Sequence, residues 1–187
     1  MISKNKIIII LSILLITSVS YTTVDIIEKT HIKDPSNSIN SLIINMSGIS
    51  SPDYAERVHR TICTKAQKYN IDTLWALSMA FQESNFDSSA IGRNKDYGLF
   101  QVTEAAIREY ERYYKQFVDR KNIRNIEVNT EIALGYFALK LKESATYREA
   151  IAKYNAGIYY NTAGQEHYNR VKIKKITIQE SLNGSKN

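Results

Sequence analysis

Thr73-Leu74-Trp75-Ala76-Leu77-Ser78-Met79-Ala80-Phe81-Gln82-Glu83-Ser84 decides how the chain folds. Asp72 stands just before it, and an aspartate there can accept from the free N–H groups of a first helical turn. From Leu74 to Phe81 only Ser78 is polar. A helix that is apolar nearly all round is enclosed by other elements. Its last turn then carries a carboxyl group, Glu83, on the face shared with Ala76, Met79 and Ala80. Water lost from a carboxyl disfavours the charged form and raises its pKa. Moving a glutamate from about 4.3 to about 6 needs roughly 2.3 kcal/mol of differential solvation, an ordinary shift in an apolar pocket. Such a group holds its proton near neutrality and can act as a general acid. The plainer reading is a helix-terminal glutamate facing water, and spacing alone does not displace it.

Working outward, Asn70-Ile71-Asp72 breaks the preceding helix. That helix starts at Ser51-Pro52-Asp53, with serine as N-cap, proline at the first helical position and an acid near the positive dipole end. Ala55, Val58, Ile62, Ala66 and Tyr69 recur along it at helical spacing. A loop rich in Asn, Asp, Ser and Gly covers 85–98. The pattern predicts a third helix over 103–119, with Ile107, Tyr110, Tyr114 and Phe117 on one face. It predicts a fourth capped by Asn129, with Ile132, Gly135, Tyr136 and Leu139 inside. A fifth is capped by Thr146, with Tyr147, Ala150, Ile151 and Tyr154 inside. Gly157 and Gly164 mark turns before a last helix near 165–178, although 171–178 also suits a strand. Residues 21–51 read as a linker in which Leu42, Ile43 and Ile44 dock as a short strand or turn. The expectation is one mainly α domain over 52–180, with a polar tail at 181–187.

Composition agrees. The chain has 187 residues, 43% of them hydrophobic, which suits a single globular domain. Two prolines and seven glycines are too few for a sandwich of many hairpins. A lone cysteine, Cys63, excludes an internal disulfide framework and a multi-cysteine zinc site. His31, His59 and His167 are too dispersed to suggest a metal set, so no metal or other cofactor is expected. Lys4 and Lys6 precede an uncharged run from Ile7 to Val19, the pattern of a signal peptide over 1–20 cleaved after Ser20. The uncharged stretch continues to Val24, so an uncleaved anchor through 7–24 stays open. Removing the two lysines lowers the net charge from +6 to +4, too little to point to nucleic acid.

Three clusters occur in order: Glu83-Ser84-Asn85-Phe86, Gly98-Leu99-Phe100-Gln101-Val102, and Ala152-Lys153-Tyr154-Asn155-Ala156-Gly157. Together they resemble the soluble lytic transglycosylase family, the goose-lysozyme-like domains that cut bacterial peptidoglycan, over about residues 52–175. The resemblance implies a lysozyme-like helical domain with a substrate cleft. It makes Glu83 the acid/base and Ser84 its neighbour that positions substrate or acid. Gly98, Leu99, Phe100 and Gln101 would line the cleft, the glycine allowing a sugar to approach the backbone. Tyr154 would send its hydroxyl to the catalytic carboxyl, its ring packed with Tyr147 and Ile151. Asn155 and Gly157 would hold the turn that presents it. Phe100 stands where the family has methionine, Lys153 where it has alanine, and Glu131 where many members have asparagine four residues before Gly135.

Most glycosidases use two carboxylates. The resemblance implies that one suffices here. Glu83 protonates the oxygen between MurNAc and GlcNAc, and its carboxylate then takes the proton of the MurNAc C6 hydroxyl. That hydroxyl attacks C1 of its own sugar, leaving a 1,6-anhydro end, with the advantage of a tethered nucleophile. Asp87 and Asp96 suit turn roles in their loop. A goose-type hydrolase would need one of them to orient water. A non-enzymatic peptidoglycan-binding assembly component is the third reading. The expected partners are glycan strands and envelope-spanning machinery rather than nucleic acid, the expected state a monomer, and the expected place the exported side of the envelope.

Overall fold

The computed structural model describes residues 35–157 and 161–184. The signal or anchor segment, the first part of the supposed linker and the last three residues of the tail lie outside the described residues. Among the described residues the structure is helical, with isolated bridges in place of strands. The helices are α1 (Pro35–Ser47), α2 (Pro52–Lys68), α3 (Thr73–Ser84), α4 (Glu104–Tyr114), α5 (Ile126–Lys142), α6 (Tyr147–Ala156) and α7 (Thr162–Gly184), with a 3-10 turn at Arg120–Asn122.

The capping residues explain most boundaries. Ser51, Asp72 and Thr146 accept from Tyr54, Trp75 and Glu149 backbone N–H groups, as their positions predicted. Asn70 adopts a left-handed φ of 54° and ends α2. α3 lies against α2 and α7, α7 also packs along α6, and α5 packs against α2, α4 and α6. Ile62, Met79, Ile132, Phe137, Ile151 and Val171 bring all of these helices except α4 into one buried core, which α4 joins through Ile107.

Four sequence expectations are corrected. The stretch read as a linker contains α1, which packs on α2 and α7. Ile39, Leu42 and Ile43 are buried and stand at i, i+3 and i+4, so they dock as a helix, not as a strand or turn. The third helix stops at Tyr114, because Lys115 turns left-handed at φ 55°. Phe117 therefore leaves the helical face and is 88% exposed. The fourth helix is capped by Asn125, whose Oδ1 accepts from Glu127 and Val128 N–H groups, and Asn129 lies inside it. The last helix runs well beyond 165–178 in both directions. Gly164, His167, Val171 and Ile178 give it a buried helical stripe, which excludes a strand at 171–178.

α1 supplies a test. Ile43 is fully buried, so Ile43→Ala should cost about 2–4 kcal/mol through lost burial and a residual cavity. Met46→Ala, at a site 41% exposed on the same helix, should stay within about 0.5 kcal/mol. Urea unfolding midpoints of the two variants measure this. A linker would make both neutral.

Candidate active site

Glu83 occupies the last turn of α3, and its side chain is 14% exposed. Asn85 ends the helix in the left-handed region at φ 53° and Phe86 follows at φ 65°. Phe86 is buried and stacks on Phe81 with ring centroids 5.3 Å apart. The Tyr54 hydroxyl donates to the Phe86 carbonyl at 2.6 Å and accepts from the Ser88 N–H at 2.9 Å. The chain just after Glu83 is thereby pinned to α2, and the carboxyl cannot swing out with a fraying helix end.

Opposite lies the loop 90–102. It folds on itself through antiparallel bridges of Tyr97 with Ile91 and with Val102. Asn129, fully buried on α5, holds its inner side. Its Nδ2 donates to the carbonyls of Tyr97 at 2.7 Å and Ile123 at 2.9 Å, and its Oδ1 accepts from the Phe100 N–H at 2.9 Å. Gly98 has φ 74°, and a Cβ there would lie 2.6 Å from the Asn129 amide nitrogen. Both the left-handed backbone and the packing demand glycine. The Ser84 hydroxyl donates to the Leu99 carbonyl at 2.8 Å, tying the loop to the helix that carries Glu83.

Between them opens a cleft of about 410 Å³, lined by Glu83, Asn94, Asp96, Gln101, Thr103, Glu104, Ala105, Tyr154 and Asn155. Burial, then the nearby Asp96 charge, push the Glu83 carboxyl up to about 8, against a smaller opposing effect of Arg170. Burial also raises Asp96. A neutral carboxylic acid facing a cleft at pH 7 is a proton donor waiting for a basic oxygen.

The expected site residues thus converge, but with altered duties. Leu99 and Phe100 do not line the cleft; both side chains are fully buried, and their backbone groups are held by Ser84, Tyr154 and Asn129. Phe100 in place of methionine is accordingly a change of core packing. Gly98 serves Asn129 and a left-handed turn, where a sugar had been expected. Gln101 adopts φ 47° and turns its Nε2 onto the carbonyls of Gly98 at 3.0 Å and Ala90 at 3.4 Å, so its amide N–H groups serve the loop. The Tyr154 hydroxyl donates to the Phe100 carbonyl at 3.0 Å and not to Glu83. Its ring packs on Tyr136 and Phe137, whereas Tyr147 stacks on Trp75. Burial and then the Glu83 charge raise the Tyr154 phenol. Tyr154 and Asn155 sit within α6, and Gly157 ends that helix at φ 77°.

Asp87 keeps a turn role, accepting from Ser89 N–H and hydroxyl groups. Asp96 departs from it: its side chain joins the cleft, while its backbone carbonyl makes the turn with Gly92. Glu131 lies outside the cleft lining. Burial alone would raise its carboxyl, but hydrogen bonds from Lys65, Lys68 and Tyr69 outweigh that and hold it at about 2. Two contributors escaped the sequence reading. Asn129 was mistaken for a cap. His167 was set aside as dispersed, yet it is buried and its Nε2 lies 3.3 Å from Glu83 Oε1. The signal for His167 was its place beside Val171 and Gly164 on one apolar helical stripe.

A family model for the transglycosylase SLT domain matches residues 60–181, and the chain belongs to that family. No curated protein matches the sequence significantly. Among solved structures the chain is similar to an inactive mutant of the lytic transglycosylase Slt from Pseudomonas aeruginosa. The TM-score is 0.50 at 20% identity, over 68% of this chain. The match spans 22% of that longer chain, and the likeness is one of fold.

The raised Glu83 pKa carries a stability consequence. Between its usual 4.5 and about 8, the folded chain holds a proton that the unfolded chain has released. Glu83 therefore favours folding fully below about 4.5 and loses that contribution as pH rises through about 8. Glu83→Gln should gain stability over the parent on going from pH 5 to pH 8.5, by on the order of a few kcal/mol. Urea unfolding of both proteins across that range measures the gap. A gap that does not change with pH would place Glu83 in water.

Proposed function

We propose that the chain is an exported peptidoglycan lytic transglycosylase, cleaving the MurNAc-β-1,4-GlcNAc bond to leave 1,6-anhydro-MurNAc ends. Membership of the SLT domain family supports peptidoglycan as substrate and the cell envelope as the place of action. The observation that carries the reading is a buried glutamic acid, its carboxyl pushed up to about 8, at the wall of an open cleft. Glu83 donates its proton to the bridging oxygen and recovers one from the C6 hydroxyl. Burial then favours the return to the neutral acid, because the carboxylate is the disfavoured form. Ser84 and Tyr154 hold the loop beside the cleft through the carbonyls of Leu99 and Phe100, and Tyr154 also lines the cleft itself. The basic residues Lys95, Lys121 and Arg124 edge a second hollow, which shares Asn94 and Glu104 with the cleft and lengthens it into a groove suited to a polymer. Gln101 and Asn155 line this substrate surface, while Ser84, Gly98, Leu99, Phe100 and Gly157 shape the loop and the helix end behind it. The enzyme works as a monomer without a cofactor, on glycan strands and beside envelope-spanning machinery. Among the described residues no helix is long and apolar enough to cross a membrane.

Asp96 favours one alternative, a goose-type hydrolase. It faces the same cleft as Glu83, and no hydrogen bond occupies its carboxylate among the described residues. Mass spectrometry of muropeptides released from purified peptidoglycan separates the two, since an anhydro product is one water lighter. Anhydro ends are expected, and Glu83→Gln should release none. Asp96→Asn should preserve the anhydro product and move the alkaline limb of the rate profile down, because a like charge beside Glu83 is gone. Reducing MurNAc ends that vanish in Asp96→Asn would establish the hydrolase.

A further inference from the structure

α7 enters the site at a close approach. A Cβ at Gly164 would lie 2.7 Å from the Ala152 carbonyl of α6, so this glycine lets the two helices meet just beside Tyr154. One turn later His167 projects into the core, 2% exposed. Its Nε2 lies 3.3 Å from Glu83 Oε1, and that nitrogen closes no hydrogen bond, to Glu83 or to any other group, among the described residues. A buried ring nitrogen is costly without a partner. The two atoms are within reach but out of line for a hydrogen bond, as catalytic contacts in an empty site commonly are before substrate aligns them.

The pair is not ionic. Burial and then Arg170 hold His167 down to about 4, while Glu83 is pushed up to about 8. At pH 7 a neutral imidazole therefore meets a neutral carboxylic acid. Arg170 from α7, Asp96 from the loop and Tyr154 from α6 are the charged or titratable groups that act on the pair. Two arrangements satisfy the distance. In one, Nε2 accepts the Glu83 proton, which turns that proton away from the cleft and builds a partial buried imidazolium beside Arg170. In the other, Nε2–H donates to Oε1, and the proton stays on Oε2. Burial and Arg170 both oppose the first.

We infer that His167 is a positioning residue for Glu83: its neutral Nε2–H donates to Oε1, keeping the acidic proton on Oε2 and directed into the cleft. The inference rests on Glu83 being the acid proposed above. No proton leaves His167 at any point. When Glu83 has given up Oε2–H, the same N–H supports the carboxylate until the substrate hydroxyl returns a proton. The donor thus favours the charged form and restrains how far burial can raise the acid.

The test uses the full chain with 13C-labelled glutamate, following side-chain carboxyl shifts with pH. The Glu83 signal is the one absent from Glu83→Gln. His167→Phe keeps an aromatic ring without a donor, and His167→Gln keeps an N–H. His167→Met serves the first purpose if the phenyl ring prevents folding. The Glu83 midpoint should rise by about half a unit or more in the donor-less variant and return towards the parent in His167→Gln. On peptidoglycan, the donor-less variant should lose about tenfold or more in kcat with little change in KM, and its alkaline limb should follow the carboxyl midpoint upward. An unmoved or lowered midpoint in the donor-less variant, or equal shifts in both, would overturn the role. The carboxyl titration needs no turnover. A chain inert on peptidoglycan whose midpoint still moves as expected would retain the His167 contact and defeat only the proposed reaction.

Discussion

Glu83 must remain inside an apolar wall while its proton remains accessible, and most of the local architecture meets that double demand. Glu83 shares its helical face with the buried Ala76, Met79 and Ala80, and α7 packs along the same helix. Access comes from a loop that stops short of closing over it. Neither wall is self-supporting. α3 has little polar surface of its own, so it depends on α2 and α7 to cover it, and α1 spans both. A carboxyl placed on a freer helix would rehydrate, ionise and cease to be an acid at neutral pH.

The opposing wall is held by hydrogen bonds that reach its backbone. Asn129 fixes three backbone groups at once, and Ser84 and Tyr154 each fix one carbonyl. Side chains that might have been assigned to sugar binding are spent on shaping the loop. This gives the three sequence clusters a common physical sense. Each contributes a contact to the same segment, 98–101, so the loop is the point where they meet. Phe100 in place of methionine is compatible with this, because that side chain is buried in the core and not in the cleft.

What was legible in the sequence was local. Apolar runs and caps define α2, α3 and α6, since an N-cap acts within three residues and needs no tertiary knowledge. Glu83 was legible because helical periodicity alone places it against Ala76, Met79 and Ala80. α1 was hidden because serine and asparagine surround Ile39, Leu42 and Ile43, and only its docking on α2 and α7 makes it a stable helix. Asn129 looked like a cap because asparagine has that habit. Its true duty joins α5 to a loop about thirty residues away, a distance no spacing rule reports. His167 was lost for the same reason. Nothing within its own segment signals that the helix will bring it to Glu83, some eighty residues earlier.

Asp96 sets the balance between the two chemistries such a cleft permits. A carboxylate beside Glu83 raises the acid and so helps to keep it protonated. To serve as a base towards water it must also be ionised and must face the opposite side of the sugar carbon. Partial burial raises its own pKa above the ordinary aspartate value, which works against that ionisation. Its electrostatic effect on Glu83 would accompany either reaction and does not distinguish them. What distinguishes them is competition for C1. A tethered C6 hydroxyl needs no site of its own, whereas water must be bound and oriented. Among the residues lining the cleft with Asp96, Asn94, Gln101, Thr103, Tyr154 and Asn155 are polar and neutral, and Gln101 and Tyr154 already donate to the loop. Under the proposed transglycosylase reading the internal nucleophile needs none of these partners, whereas a water at Asp96 must be oriented by those that remain free.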